Sequence, residues 1–253
     1  MTMYLLVMGL AGSGKTTLTG AFAKWMRENG HKVRVVNLDP GAEHLPYNPD
    51  FDIRSIVTVE KLMKEHGLGP NGAMLKASEV IVENAKEILK HEAFKPFDAT
   101  VIIDTPGQLE IFMLRHEGYK FTSLLKRRAP TVGVFLVDGS MVYNIADLVT
   151  SWMLGLLVQV KLDIPTIPVF SKSDLIKDRS LVEKVVEDPL SLTEDIEKSL
   201  SGVTAELAIE MARLLAEYRQ SLRPVLVSAI TGEGFEELFS VVHEAFCSCG
   251  DLS

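Results

Sequence analysis

Cysteine is nearly missing from this chain: there are two, Cys247 and Cys249, both close to the end. So few thiols exclude a disulfide framework and suit a reducing compartment, with the cytoplasm as the default. Positive charge is also in deficit, with 26 Lys and Arg against 34 Asp and Glu and a net charge of -8. That balance argues against a general nucleic-acid binder and against a protein that lies on an anionic membrane surface. No stretch approaches the apolar length expected of a bilayer span, no internal repeat recurs, and no segment is of low complexity. The apolar start lacks a positive n-region and a small-residue cleavage site, so it reads as a core strand and not as a signal peptide. Aromatic residues are sparse at 7%, yet hydrophobic residues make up 47% of 253 positions, enough for one large α/β core.

Small residues are concentrated at one place. A short apolar strand at residues 4–8 runs into Gly9, Ala11, Gly12, Ser13, Gly14, Lys15 and Thr16, and an amphipathic run with Leu18, Phe22, Trp25 and Met26 follows. Small side chains let the backbone curl so that successive N–H groups point at phosphate oxygens, at the positive end of the following helix. Lys15 then reaches the β- and γ-phosphates as a mobile point charge, and the Thr16 hydroxyl ligates Mg²⁺. Gly12, Ser13, Gly14 and Thr17 complete the predicted phosphate set. The strand, loop and helix context separates this P-loop from a glycine-rich turn with an incidental lysine, and a nucleoside triphosphate is the expected ligand.

The rest of the chain reads as equipment for that site. A predicted strand at 33–36 leads to Asp39-Pro40-Gly41, and a right-handed crossover opens Asp39 on the same sheet edge as the P-loop. There it serves either as a turn former or, as preferred here, as a carboxylate near Mg²⁺ or the attacking water. Residues 41–97 form a helical insertion, with a short helix at about 59–66 and a longer one carrying Val80, Ile81, Ala85, Ile88 and Leu89. Between them, Gly69-Pro70-Asn71-Gly72 reads by itself as a helix-to-helix turn.

A buried strand at 99–103 delivers Asp104, the expected outer holder of Mg²⁺, followed by Gly107, whose N–H can meet a γ-phosphate. Gln108 and Glu110 stand where a water-orienting amide and a proton-accepting carboxylate are wanted. Farther on, Ser171-Lys172-Ser173-Asp174 closes a strand in a way that suits a purine. The lysine stem lies on the ring, and the carboxylate accepts the N1–H and N2 hydrogens that guanine has and adenine lacks. Ser228-Ala229 follows the last strand, placed for a backbone N–H to meet the guanine O6. A charged helical segment covers about 178–222, with Leu181, Val185, Leu192, Ile196 and Leu200, then Leu207, Met211, Leu214 and Leu215, in its predicted core stripe. The order of elements predicts an α/β fold: one domain over 1–253, with a doubly wound, mostly parallel sheet flanked by helices and the ligand over the strands' carboxyl ends.

Taken in order, these motifs resemble those of a GTPase, and Gly69-Pro70-Asn71 matches the signature of the GPN-loop GTPases, in the class of P-loop proteins that includes the signal-recognition GTPases. The resemblance covers nearly the whole chain. It implies a Mg²⁺-dependent GTP hydrolase, releasing GDP, that works as a homodimer in which Gly69, Pro70 and Asn71 of one protomer enter the other's site. Asp39, Gln108 and Glu110 would position the water, with Thr16 and Asp104 managing Mg²⁺. It also implies a possible client complex, since eukaryotic relatives are linked to RNA polymerase assembly.

Two departures accompany the resemblance. Ser171 replaces the Asn of many GTPases, which predicts a base loop with less bracing, and Leu10 stands where some dimeric relatives carry a second P-loop lysine. Competing readings are a slow nucleotide-switched assembly factor, a metal-delivery GTPase using Cys247, Cys249 and His243, an ATP-using relative, and a small-molecule kinase.

Overall fold

The computed structural model describes residues 2–96, 98–108, 115–142, 144–218 and 223–250, with Val185 and 248–250 described by backbone alone. Among these residues one sheet of seven strands is formed: β1 Met3–Gly9, β2 Val33–Asn37, β3 Phe51–Asp52, β4 Thr100–Asp104, β5 Thr131–Asp138, β6 Thr166–Ser171 and β7 Val225–Val227. Their order is β3-β2-β4-β1-β5-β6-β7, and every pairing is parallel. The central strand β1 is buried along its whole length, as expected of a parallel strand covered on both faces. Because successive side chains alternate across a strand, Tyr4, Leu6 and Met8 enter one core while Met3, Leu5 and Val7 enter the other.

The second core is closed by the helix Lys15–Glu28, through Leu18, Phe22 and Met26, and by the final helix Phe235–Gly250, through Phe235, Leu238 and Val242. The first and larger core is covered by the helices Pro70–Glu83, His116–Lys126, Ile145–Leu162 and Gly202–Glu217. After β1 the chain crosses to β2 on one side, and after β4 it crosses to β5 on the other. The carboxyl ends of β1, β4 and β5 thus flank a topological switch point, where ligands of such sheets bind.

Four expectations need correction. Pro70, Asn71 and Gly72 do not form a free turn: they are the first turn of the helix Pro70–Glu83, with Gly69 at its N-cap and Pro70 at a position that needs no N–H. The edge strand Phe51–Asp52 inside the insertion was not expected, since two residues carry no legible alternation. The charged segment is helical as expected, with α-helices Arg179–Glu187, Thr193–Ser199 and Gly202–Glu217 and a 3-10 turn Pro189–Leu192 among its described residues. The expected stripe holds at Leu192, Ile196 and Leu215, which are buried, and fails at Leu207, 56% exposed, because the last helix turns the small residues Ala205, Ala208 and Ala212 toward the helix Ile145–Leu162. That 18-residue helix also overturns the expectation about apolar length, since its mean hydropathy of 1.5 suffices for a span by length and composition alone. Here it packs Leu148, Trp152, Val158 and Leu162 into the core.

Candidate active site

The P-loop joins β1 to the helix Lys15–Glu28, and its first glycine is sterically required. Gly9 has φ +149°, and a Cβ there would lie 2.6 Å from the Leu136 carbonyl oxygen and 2.7 Å from Ser13 Oγ. Lys15 is 5% exposed. Its Nζ donates to the carbonyls of Leu10 at 2.7 Å and Gly9 at 3.0 Å, and to that of Gly107 at 3.4 Å. The lysine therefore already spans the P-loop and the loop after β4. Gly12 and Thr17 are exposed, Ser13 is buried, and Leu10 is exposed at the mouth.

Asp104 ends β4 with 0% exposure. Its Oδ2 accepts from the Tyr47 hydroxyl at 2.8 Å. Burial pushes its carboxyl up to about 6, against the Thr16 and Tyr47 hydroxyls, which favour the charged form; nearby Asp39 adds to the rise. Oδ1 has no partner at hydrogen-bond geometry among the described residues. An unpaired, buried carboxylate oxygen is costly unless something compensates it, and with the Thr16 hydroxyl beside it the donor set is the hard, all-oxygen kind that Mg²⁺ takes. The residues present fit that ion.

Asp39 follows β2, and its backbone is held by Asn37, whose Oδ1 accepts from Asp39 N at 3.0 Å and whose Nδ2 donates to Asp39 O at 3.2 Å. The Asp39 carboxylate accepts from Gly41 N at 2.8 Å. Burial raises its pKa, and the Gly41 and Gly107 amides and the charge of Lys15 hold it down. Gln108 donates from Nε2 to Asn71 Oδ1 of the same chain at 3.2 Å, while its Oε1 is buried without a partner among the described residues. Gly69, Pro70 and Asn71 are otherwise exposed at this rim. Lys15, Thr16, Asp39, Asp104, Gly107, Gln108 and Asn71 thus share one corner of the sheet edge. Glu110 lies outside the described residues.

At the other end, Ser13, Gly14, Thr17, Ser171, Lys172, Asp174 and Ala229 line a cavity of about 270 Å³. The expectation of a poorly braced loop at Ser171 is corrected: its hydroxyl lies 2.8 Å from the Ser13 carbonyl and 3.0 Å from that of Val137, so it still ties base loop to P-loop. Lys172 Nζ is anchored on Asp138 Oδ2 at 2.6 Å. Buried Ser228 caps its own turn, its Oγ accepting from Ile230 N and Thr231 N.

Sequence reasoning missed Tyr47, Asp138 and Glu233. Glu233 Oε2 accepts from Ser173 Oγ at 2.6 Å, Oε1 pairs with Arg179, and its carbonyl accepts from Ser228 N at 3.1 Å. The Cys247 thiol is exposed, His243 lies against Phe239, and the Cys249 side chain is outside the described residues. Among the described residues no group of three or more His, Cys, Asp or Glu is arranged to hold a metal.

Fold and site together define a P-loop nucleotide-binding protein. A family described as a conserved hypothetical ATP binding protein matches residues 7–248. The GPN-loop GTPase PAB0955 of Pyrococcus abyssi is 36% identical over 256 residues, with 99% of this chain and 100% of that protein covered. The chain belongs to the GPN-loop GTPase family. An apo crystal structure of PAB0955 matches with a TM-score of 0.87 at 34% identity over 98% of each chain. GPN-loop GTPase 1 of Dictyostelium discoideum is 29% identical and that of Schizosaccharomyces pombe 30% identical, each over 94% of this chain. This chain spans 60% of the former's length and 67% of the latter's.

Proposed function

We propose that this chain hydrolyses GTP to GDP and phosphate with Mg²⁺, as a homodimer, and that the Gly69-Pro70-Asn71 loop of each protomer acts at its partner's γ-phosphate. The observation that carries the hydrolase reading is the convergence of Lys15, Asp39, Asp104 and Gln108 on one sheet edge; the trans role of the loop rests on the family signature, since within this chain Asn71 meets Gln108 of its own protomer. Phosphoryl transfer asks mainly for positioning and charge stabilisation. The amides of Gly12, Ser13, Gly14 and Lys15 cradle phosphate oxygens, and Lys15 adds a cation. Mg²⁺, held by Thr16 and Asp104, would neutralise charge on the β- and γ-phosphate oxygens. Gln108 Oε1 is an acceptor suited to one water hydrogen, and Asp39, whose carboxyl burial makes more basic, is suited to a second. In this reading the contact between Asn71 and the Gln108 amide of its own protomer is given up when the loop reaches the partner's site. At the base end Asp174 selects guanine, with Ser228 and Ala229 beside it.

Residues 1–253 act in this reading as one domain, with 41–97 as the element that meets the partner and 178–222 as a helical arm. A cytoplasmic setting suits the free thiol of Cys247. The large exposed side chains Leu207 and Val203 on the arm favour a second role beside hydrolysis, nucleotide-controlled docking of a client protein, RNA polymerase among the candidates by family.

The test is GTP and ATP turnover with and without Mg²⁺ for wild type and Asn71→Ala, with oligomeric state measured on the same samples. Expected is a guanine preference and, for a variant that is still dimeric and binds GDP normally, a loss of about 100-fold in turnover. Unchanged turnover removes the loop from catalysis.

A further inference from the structure

The buried carboxylate of Asp104 has a partner drawn from outside the phosphate-binding motifs. A carboxyl torsion is broad and roughly two-fold, so burial alone does not decide which oxygen is left for an ion. The Tyr47 hydroxyl, 57 residues away in sequence, occupies Oδ2 at 2.8 Å and leaves Oδ1 unpartnered among the described residues. The ring in turn depends on Gly20, which sits inside the helix Lys15–Glu28, where glycine is disfavoured relative to alanine. A Cβ at position 20 would lie 3.2 Å from Tyr47 Cδ1 and 3.4 Å from Pro46 Cγ. The helix gives up a methyl group where the ring packs.

We propose that Tyr47 is a positioning residue for Mg²⁺, acting through Asp104, and that Gly20 is the notch that admits it. The proposal rests on the Mg²⁺ reading above. With the hydroxyl in place, the carboxylate is pinned with one oxygen spent and one available. Without it, Oδ2 becomes a buried acceptor with no donor, and the carboxylate turns or draws water into the core. Tyr47 also lies on the same loop as Asp39, so the carboxylate proposed to face the water and the one proposed to hold the metal are joined by one short stretch of chain.

Release of a fluorescent GDP analogue, followed across free Mg²⁺ concentrations and again in EDTA, separates metal from nucleotide. Tyr47→Phe keeps the ring and is expected to raise the Mg²⁺ concentration that half-slows release by about ten-fold (~1.4 kcal/mol), with the EDTA rate within about two-fold of wild type. Gly20→Ala leaves the hydroxyl intact and crowds the ring; it is expected to move the same midpoint in the same direction, by less. It also carries the test should the phenylalanine variant fail to fold. Wild-type midpoints in both variants overturn the proposal, as do equal losses with and without Mg²⁺, which mark a general distortion of the nucleotide site. A wild type whose release ignores Mg²⁺ overturns the metal reading itself, and is told apart because the response is then missing before any substitution.

Discussion

The two ends of the site spend their hydrogen-bonding capacity differently. At the phosphate end, buried atoms are left open: Asp104 Oδ1, Gln108 Oε1 and Ser13 Oγ have no partner among the described residues. At the other end several side chains are closed on protein partners: Ser171 on the Ser13 and Val137 carbonyls, Lys172 on Asp138, and Ser173 and Arg179 on Glu233. Unspent valence in a buried place costs stability and is worth keeping only where a ligand or ion will use it. Spent valence fixes a wall before the ligand arrives. On the function proposed above, the comparison sets an end suited to chemistry against one suited to recognition.

The contrast can be broken most forcefully at Lys15. Lys15→Ala is expected to lower GDP affinity by about 100-fold, read by calorimetry, and to lower the ligand-free melting temperature as well, because Nζ also bridges the Gly9, Leu10 and Gly107 carbonyls. A comparable loss from any single base-end substitution would erase the distinction.

A sharper test uses pH. The Asp104 carboxyl is pushed up to about 6 from its ordinary 3.8. Between those values the native state holds a proton that the unfolded chain has lost, so this group's contribution to stability falls as pH rises through the window, and its full cost stands above about 6. Asp104→Asn is therefore expected to melt higher than wild type at pH 7 in EDTA, to lose that advantage below pH 4, and to abolish the Mg²⁺ response. Lower melting at pH 7 would mean that the open oxygen costs nothing. The smallest effect is expected at the base end. Glu233→Gln weakens a partly exposed clasp and should reduce GDP affinity by about three- to five-fold without moving the Mg²⁺ midpoint. A shifted midpoint would show that the two ends are not separable.

Much of this was legible in the chain because the relevant signals are local. The P-loop, the strand that ends at Asp104 and the one that ends at Ser171 each pair an apolar run with chemistry at its carboxyl end, and the parallel sheet follows from helices between them. Tyr47 and Glu233 were not legible, because their partners lie 57 and 60 residues away and neither an aromatic residue in a loop nor a glutamate in a turn carries a period. On the helix Gly202–Glu217 the expected stripe holds at Leu215 and fails at Leu207 and Leu214, because Ala205, Ala208 and Ala212 take the inward positions where packing distance is short. Asn71 was read as turn filler until the family signature suggested otherwise. Its contact with Gln108 depends on the helix starting at Pro70, a boundary that the flanking glycines obscured.

The serine at position 171 changes how such a motif should be defined. The general GTPase motif has an amide at that point, but holding the P-loop needs only one hydrogen aimed at the Ser13 carbonyl, and a hydroxyl on the same strand end reaches it at 2.8 Å. The requirement is for a donor in a place, and not for one amino acid. A search pattern written in letters would pass over this chain at that position; one written in donors and distances would accept it.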